Sequence, residues 1–452
     1  MPLDEKENHK PTLGILVVHG PEIRSLGYSG LIKKLAERFR ILIWTTCPGS
    51  EVFASFSPYV EIKAIPIFEN NTRSKFSDFL YRLHLRWYEK SGENKWSYAF
   101  QKRSSQTRFF GRLKSQLLNI ISTKSIIYTL SIIEGFFENH FKKSEWNEEF
   151  IKNDVDVLLC GNYFGPYVLD AIKTANSLHI KTYVALHSWK DCYVHPRLPL
   201  TLSGIFLWSK TDQIHFKKWN PWVNYPFHIT GSLHLETVRT AKIMPVQLFE
   251  KISGLDLSRP YICYTMAAMD AVPDEELIID EISKRLLSSF PEVQLLIRNN
   301  PMNSNHDFLF SKNFNVIMQF PHYEWKKELN WAPPFEDDAS LWASTIYYSI
   351  CNISLPSTVT VEFLEFNRPI INIVFDSKPL GMHKGSNLRY WNAPFYNQVQ
   401  NKEGVYPVFS YEGLEQAVRG VISKTYQVHT DSSTPRKPST CIASTITSEF
   451  SK

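Results

Sequence analysis

Short, nearly continuous apolar runs, each followed by a longer stretch with apolar residues at helical spacing, recur along this chain in two series. The first series predicts strands at 14–18 (GILVV), Phe39–Thr45, Val155–Cys160, Lys181–Leu186, Ile205–Trp208 and His228–Thr230. Helices are expected at Gly30–Arg38 and Gly165–Leu178. The second predicts strands at Tyr261–Thr265, Val293–Arg298, Asn315–Gln319, Tyr347–Ile353 and Pro369–Val374. Its helices fall at Asp274–Phe290, Ala339–Ile346, Ser357–Phe366 and Tyr411–Ser423. Runs of this kind belong to strands buried on both faces of a parallel sheet. The expectation is therefore α/β: two Rossmann-like, doubly wound domains facing a central cleft at the carboxyl ends of their strands. Residues 11–240 would form the first domain, with a helical, basic insertion at about 66–153, and 255–428 the second. The last stretch, 429–452, is rich in Ser, Thr and Pro and is expected to be disordered.

A chain of 452 residues exceeds one comfortable core, in keeping with two domains. Its net charge of +5 gives no reason to expect a nucleic-acid partner. The six cysteines are scattered, form no CxxC pair and sit largely in apolar runs, as reduced buried thiols do. The polar start of the chain does not read as a signal peptide, and no apolar run approaches the ~20 residues that span a bilayer. A cytoplasmic location follows as the expectation.

The sharpest local pattern is Ser354-Leu355-Pro356-Ser357-Thr358, where a strand ends and a helix opens, with Glu362 one turn further on. Ser357 and Thr358 stand where free backbone N–H groups could meet phosphate, and Glu362 within reach of a ribose hydroxyl. The plain alternative makes Ser357 an N-cap and Glu362 a first-turn carboxylate. Arg298, at the end of the Val293–Arg298 strand, could grip a phosphate in bidentate fashion or make a surface ion pair. Thr265 and Met266, after the first strand of the second series, are secondary candidates for the same pocket.

The block from Ser357 to Glu362 and on through Asn367-Arg368-Pro369-Ile370-Ile371 resembles the nucleotide-binding segment of many GT-B glycosyltransferases. Leu296 through Pro301 resembles the "R-x-H-P" strand end of bacterial surface-polysaccharide and glycerophosphate transferases, with Asn300 where the His stands. Leu186 through Asp191 resembles the "S-W-D-N" segment of surface-carbohydrate transferases, with Lys190 in the place of the Asp and Asp191 one step later. Phe206-Leu207-Trp208-Ser209 and Ile229-Thr230-Gly231-Ser232 resemble further stretches of that group. Together these cover about residues 155–375. The resemblance implies a GT-B sugar transferase of surface polysaccharide or glycoconjugate synthesis. Its donor would be a nucleotide sugar, taken as substrate with no cofactor, and its acceptor a glycan or a lipid-linked glycan. A non-hydrolysing sugar-nucleotide epimerase, a polyol-phosphate transferase and a catalytically silent scaffold share the architecture and stay open.

In such a fold His19, ending the first strand, faces the cleft and is the first candidate base, with His187 and Asp191 as alternatives. A backbone-bonded loop His is the competing reading. Asp154-Val155-Asp156 spells DxD but begins a strand, where a metal pair should follow one, and no His/Cys cluster has zinc spacing. No metal site is expected. Lys102, Arg103, Arg108, Arg112, Lys114 and Lys124 interleave with apolar residues up to Phe141. A helix packed on the sheet with solvated cations is the favoured reading, and a basic amphipathic helix on an anionic membrane surface the other.

Overall fold

The computed structural model describes residues 10–66, 75–93, 95–96, 118–141, 145–268, 272, 274–303, 315–326, 331–377, 386–426, 428 and 437–450. Every residue of the first strand, β1 (Thr12–Val17), is buried, and its side chains alternate between two apolar layers. Leu16 packs with Leu42, Trp44 and Leu158 on one face, and Leu13, Ile15 and Val17 with Ile41, Ile43 and Leu159 on the other. Covering both faces demands side-chain packing on each, which is why these strands read as continuous apolar runs. β2 (Arg40–Thr45), β3 (Val60–Ala64), β4 (Val155–Cys160), β5 (Lys181–Ala185), β6 (Gly204–Leu207) and β7 (Phe227–Ile229) complete a parallel sheet in the order β3-β2-β1-β4-β5-β6-β7. Thr12 to Val17 pair in register with Arg40 to Thr45.

β8 (Tyr261–Thr265), β9 (Gln294–Arg298), β10 (Val316–Gln319), β11 (Cys351–Ser354), β12 (Ile370–Ile373) and β13 (Val405–Val408) form a second parallel sheet, ordered β10-β9-β8-β11-β12-β13. Both sheets reverse strand order once, between β1 and β4 and between β8 and β11. Such switch points open a crevice at the carboxyl edge. The expected strand over Tyr347–Ile353 is shorter, because helix Glu336–Tyr348 runs on until β11 begins at Cys351.

Three features join the halves. Helix Leu233–Thr240 follows β7 and lies against helices on both sides of the cleft. An arm between β10 and helix Glu336–Tyr348, tied by bridges Tyr323–Pro334 and Lys326–Trp331, reaches the first sheet. Its Trp331 is wholly buried in the first domain's core, with Nε1 donating to Ser50 Oγ at 3.0 Å. Gly20 meets this arm so closely that an added Cβ would lie 2.4 Å from Pro333 N.

The third feature corrects the expectation of a disordered tail. Within it, Pro438–Ser448 is a helix that packs on the first domain through Ile442 and Ile446. Buried Glu236 accepts from Ser439 N at 2.7 Å and Ser439 Oγ at 2.8 Å, fastening its start. The Ser/Thr-rich composition hid the two isoleucines four residues apart, which mark one helical face.

Within the expected insertion, helix Lys75–Glu89 packs on helix Lys124–Phe141 through Leu80, Leu83 and Ile127. Lys102, Arg103, Arg108, Arg112 and Lys114 of the basic stretch lie outside the described residues. No helix among the described residues is long and apolar enough to cross a membrane.

Candidate functional site

Because both sheets end on the cleft, loops after several strands meet there and enclose a cavity of about 380 Å³. That volume lies in the range of about 300–1,000 Å³ that small-molecule sites occupy. From the first domain come His19 and Arg24 after β1, Asn162 and Phe164 after β4, His187, Lys190 and Asp191 after β5, and Trp208 after β6. His234 projects from the joining helix, and Met302, Ala332 and Thr358 close the cavity from the second domain.

The β1 loop is shaped by Glu22. Its Oε2 accepts from Val18 N at 2.8 Å and His19 N at 3.1 Å, while Oε1 accepts from Asn162 Nδ2. A Cβ on Gly161 would lie 2.9 Å from the Glu22 carboxyl carbon, so a side chain there would displace this brace. Burial raises the Glu22 pKa, against the pull of His19 and of these hydrogen bonds. His19 is left exposed at the cavity, its ring 6.3 Å from that of Phe164.

Asp191 opens the short helix Asp191–Val194 and is 7% exposed. Its Oδ2 is buried without a hydrogen-bond partner among the described residues. Burial pushes its pKa up to about 7, although Lys190 and a backbone N–H favour the ionised form. The group is thus poised to exchange a proton near neutrality. His187 is held neutral: burial carries its pKa well below the ordinary value, helped by His234, Arg24, Lys190 and His19 around it. Its Nδ1 lies 3.2 Å from Ser25 Oγ.

Two cations complete the wall. Arg24 Nε is buried with no hydrogen-bond partner among the described residues, and Lys190 is exposed. Neither makes an ion pair among those residues, so both are available to an anion. Sequence reasoning missed Arg24, Glu22, Asn162 and His234, which belong to no motif.

His19, Asp191, His187 and Thr358 therefore line one cavity; the other expected residues do not. Ser357 is half-buried beside Thr358, at a helix of seven residues, Val359–Glu365. No side chain caps that helix, so Ser357 is not the N-cap that the plain reading supposed. Thr358 Oγ1 accepts from Trp189 Nε1 at 3.2 Å. The ribose contact expected of Glu362 meets a different arrangement. Glu362 is buried, one oxygen bonded to His234 Nε2 and the other to Trp342 Nε1 at 2.6 Å. Burial alone would raise its pKa, but the charge and hydrogen bond of His234, with Arg24 and Trp342, outweigh that and keep it ionised. Burial, with the Arg24 charge, lowers the His234 pKa, against the pull of the Glu362 carboxylate.

Arg298 likewise turns inward, to Asp338 at 2.6 Å and Gln319 at 2.9 Å, with its guanidinium 5.4 Å from the Trp342 ring centroid. It braces the second domain and makes no surface ion pair. Thr265 Oγ1 accepts from Asn352 Nδ2 at 3.2 Å, and Met266 is buried in the second core. Asp156, of the DxD pair, accepts from Thr12 N at 2.7 Å at the amino edge of the sheet, away from the cleft. Among the described residues, no group of three or more His, Cys, Asp or Glu is arranged to hold a metal ion.

No protein-family model matches the chain, and no curated protein matches it in sequence. Solved structures do match in shape. UDP-GlcNAc 2-epimerase from Methanocaldococcus jannaschii is 12% identical, over 97% of this chain and 99% of that one, with a TM-score of 0.55. The enzyme of that name from Neisseria meningitidis, bound to UDP-GlcNAc, is 11% identical over 97% and 100%, with a TM-score of 0.56. S. aureus MnaA, solved with UDP, is 10% identical over 98% and 97%, with a TM-score of 0.55. At such identities the likeness establishes architecture alone: two parallel-sheet α/β domains in the GT-B fold.

Proposed function

We propose that this chain is a sugar-nucleotide enzyme, and specifically a glycosyltransferase that moves a sugar from a nucleotide-sugar donor to a hydroxyl of a glycan or lipid-linked acceptor. One observation carries the reading: Asp191, a buried carboxyl of near-neutral pKa with one oxygen lacking a hydrogen-bond partner among the described residues, lines a cleft cavity that also presents two cations without ion-pair partners among those residues. The donor diphosphate would lie between Arg24, Lys190 and the Thr358 loop. A helix of seven residues supplies little dipole, so the cations carry most of the anion affinity. Asp191 would take the acceptor proton as the new bond forms to the anomeric carbon. The bond from that carbon to the diphosphate breaks, and the negative charge on the departing nucleoside diphosphate is met by Arg24 and Lys190. Asp191 displaces His19 as first candidate because its oxygen is buried and lacks a partner among the described residues, whereas His19 stands exposed. The reading invokes no cofactor and no metal, so turnover is expected to survive a chelator.

A second reading, a sugar-nucleotide epimerase, is favoured by a different feature. Glu22 and Asp191 are two buried carboxyls of raised pKa on one cavity, as paired proton transfers at a sugar carbon require. It also accords with the names of the structures similar in fold. Incubation with UDP-GlcNAc, followed by NMR with and without added glycan acceptors, separates the two. Release of UDP that depends on acceptor supports transfer. Interconversion of the sugar nucleotide alone supports the epimerase. Binding without either product would sink both.

A further inference from the structure

His234 and Glu362 are buried and meet between the domains, one on helix Leu233–Thr240 and the other on helix Val359–Glu365. Each oxygen of Glu362 already accepts a hydrogen bond, one from His234 Nε2 and one from Trp342 Nε1 at 2.6 Å. A carboxylate can only accept, so the proton between the pair belongs to Nε2. An imidazole carrying that one proton keeps its lone pair on Nδ1. Burial and the Arg24 charge favour this singly protonated form, against the pull of Glu362.

The His234 ring lines the cleft cavity. Its Nδ1 has no hydrogen-bond partner among the described residues and, unlike His84 Nδ1 and His215 Nε2, is not sealed off. Trp208 lines the same cavity, its ring plane 12° from that of His234 and the centroids 6.2 Å apart. Trp208 Nε1 donates to Leu186 O at 2.9 Å, so what the indole offers a ligand is its apolar ring. A sugar ring is apolar on its faces and hydroxylated at its rim, and an aromatic ring beside a hydrogen-bond acceptor matches both.

We propose, on the sugar-nucleotide reading, that Trp208 and His234 form the subsite for the transferred sugar, that His234 Nδ1 accepts from one of its hydroxyls, and that Glu362 is a positioning residue acting through His234. Trp208 follows β6, the neighbour of β5, whose following loop carries Asp191. The reacting carbon lies at Asp191 and belongs to the transferred sugar, whereas the ribose lies across the diphosphate from it. A site built to bond a hydroxyl discriminates strongly against a ligand that lacks one.

The test compares, by titration, each nucleoside diphosphate with its sugar ester: UDP with UDP-glucose and UDP-GlcNAc, GDP with GDP-mannose, CDP with CDP-glucose and TDP with TDP-glucose. His234→Gln keeps a donor for Glu362 but leaves no acceptor at the Nδ1 position. It should lower the ratio of ester to diphosphate affinity by roughly tenfold while diphosphate affinity holds. Glu362→Gln should do the same by another route. Trp342 Nε1 requires the amide oxygen, so the amide nitrogen donates to His234 Nε2 and the ring proton moves to Nδ1. Adding Trp342→Phe frees the amide to turn and should restore the ratio, a rescue that a merely structural role would not give. Nitrogen NMR of the ligand-free, histidine-labelled chain, assigned with His234→Gln, should find the proton on Nε2 in the unaltered chain and on Nδ1 in Glu362→Gln. A ring proton on Nδ1 in the unaltered chain, an unchanged ratio in His234→Gln, or no rescue by Trp342→Phe would overturn the proposal. So would an equal loss of diphosphate and ester affinity, which would give Nδ1 to the ribose. Diphosphates that bind while the ratio ignores both variants leave the sugar-nucleotide reading standing; binding of no pair sinks that reading and this proposal with it.

Discussion

Trp189 Nε1 donates to Thr358 Oγ1 at 3.2 Å across the cleft, linking the loop that carries Asp191 to the loop that opens the second domain's helix Val359–Glu365. The strand ends of both sheets thus meet through one hydrogen bond at the cavity wall. A ligand held by the Thr358 loop would thereby lie next to Asp191, whose pKa burial pushes up to about 7.

Asp191→Asn should abolish most turnover, a loss of ~10²- to 10⁴-fold for a positioned base, while nucleotide affinity persists. In the unaltered chain kcat/KM of the proposed transfer should rise with pH through about 7, as the carboxyl ionises. Stability should move the other way. The folded-state pKa lies above the unfolded value of 3.8, so the folded protein is stabilised by proton uptake below that value and loses this contribution as pH rises through about 7. Asp191→Asn should therefore melt higher than the unaltered chain at pH 8, by an amount on the order of a few kcal/mol, with the gap closing towards pH 4. Thermal melts across this range check it; a gap that widens towards acid contradicts the burial argument.

His19→Ala should have a smaller effect if Asp191 is the base. The exposed imidazole can still orient the acceptor or the leaving group from the cavity mouth. A drop of about tenfold or less in kcat is expected, against the larger loss for Asp191→Asn. If His19→Ala is the more damaging change, the roles exchange.

Strands buried on both faces were legible because they are apolar apart from a terminal threonine, as in Thr12–Val17 and Tyr261–Thr265. β3 and β13 escaped. Val60–Ala64 is an edge strand with exposed Glu61, and Val405–Val408 an edge strand that tolerates Pro407. The lining of the cleft cavity was legible where residues follow strand ends, as at His19, His187 and Asp191. Arg298 and Glu362 show the limit of that reading. Each has residue chemistry suited to a nucleotide, yet each is committed to a partner far along the chain, Asp338 forty residues on and His234 at a separation of 128. Arg24 shows the converse: a lone arginine in a five-residue helix matches no motif, and only the fold turns it towards the cavity.

Trp331→Ala should destabilise the protein by ~3–5 kcal/mol, as removal of a fully buried large aromatic does. Because the arm belongs to the second domain and the pocket for Trp331 to the first, the loss should uncouple the two. Urea unfolding is expected to change from one transition to two. A single transition at an unchanged midpoint would mean that the arm does not bind the domains together.

The cavity is expected to hold the diphosphate of a sugar nucleotide between Arg24, Lys190 and the Thr358 loop. Titration of UDP, GDP, CDP, CMP and TDP, followed by thermal shift, tests it directly. One of them at about a hundredfold above its dissociation constant should stabilise the unaltered chain by roughly 2.7 kcal/mol. Replacing Arg24 and Lys190 together by Gln should weaken that ligand by ~2–5 kcal/mol, two charge-assisted contacts being lost. No stabilisation by any of the five, or equal affinity in the folded double variant, would contradict the account.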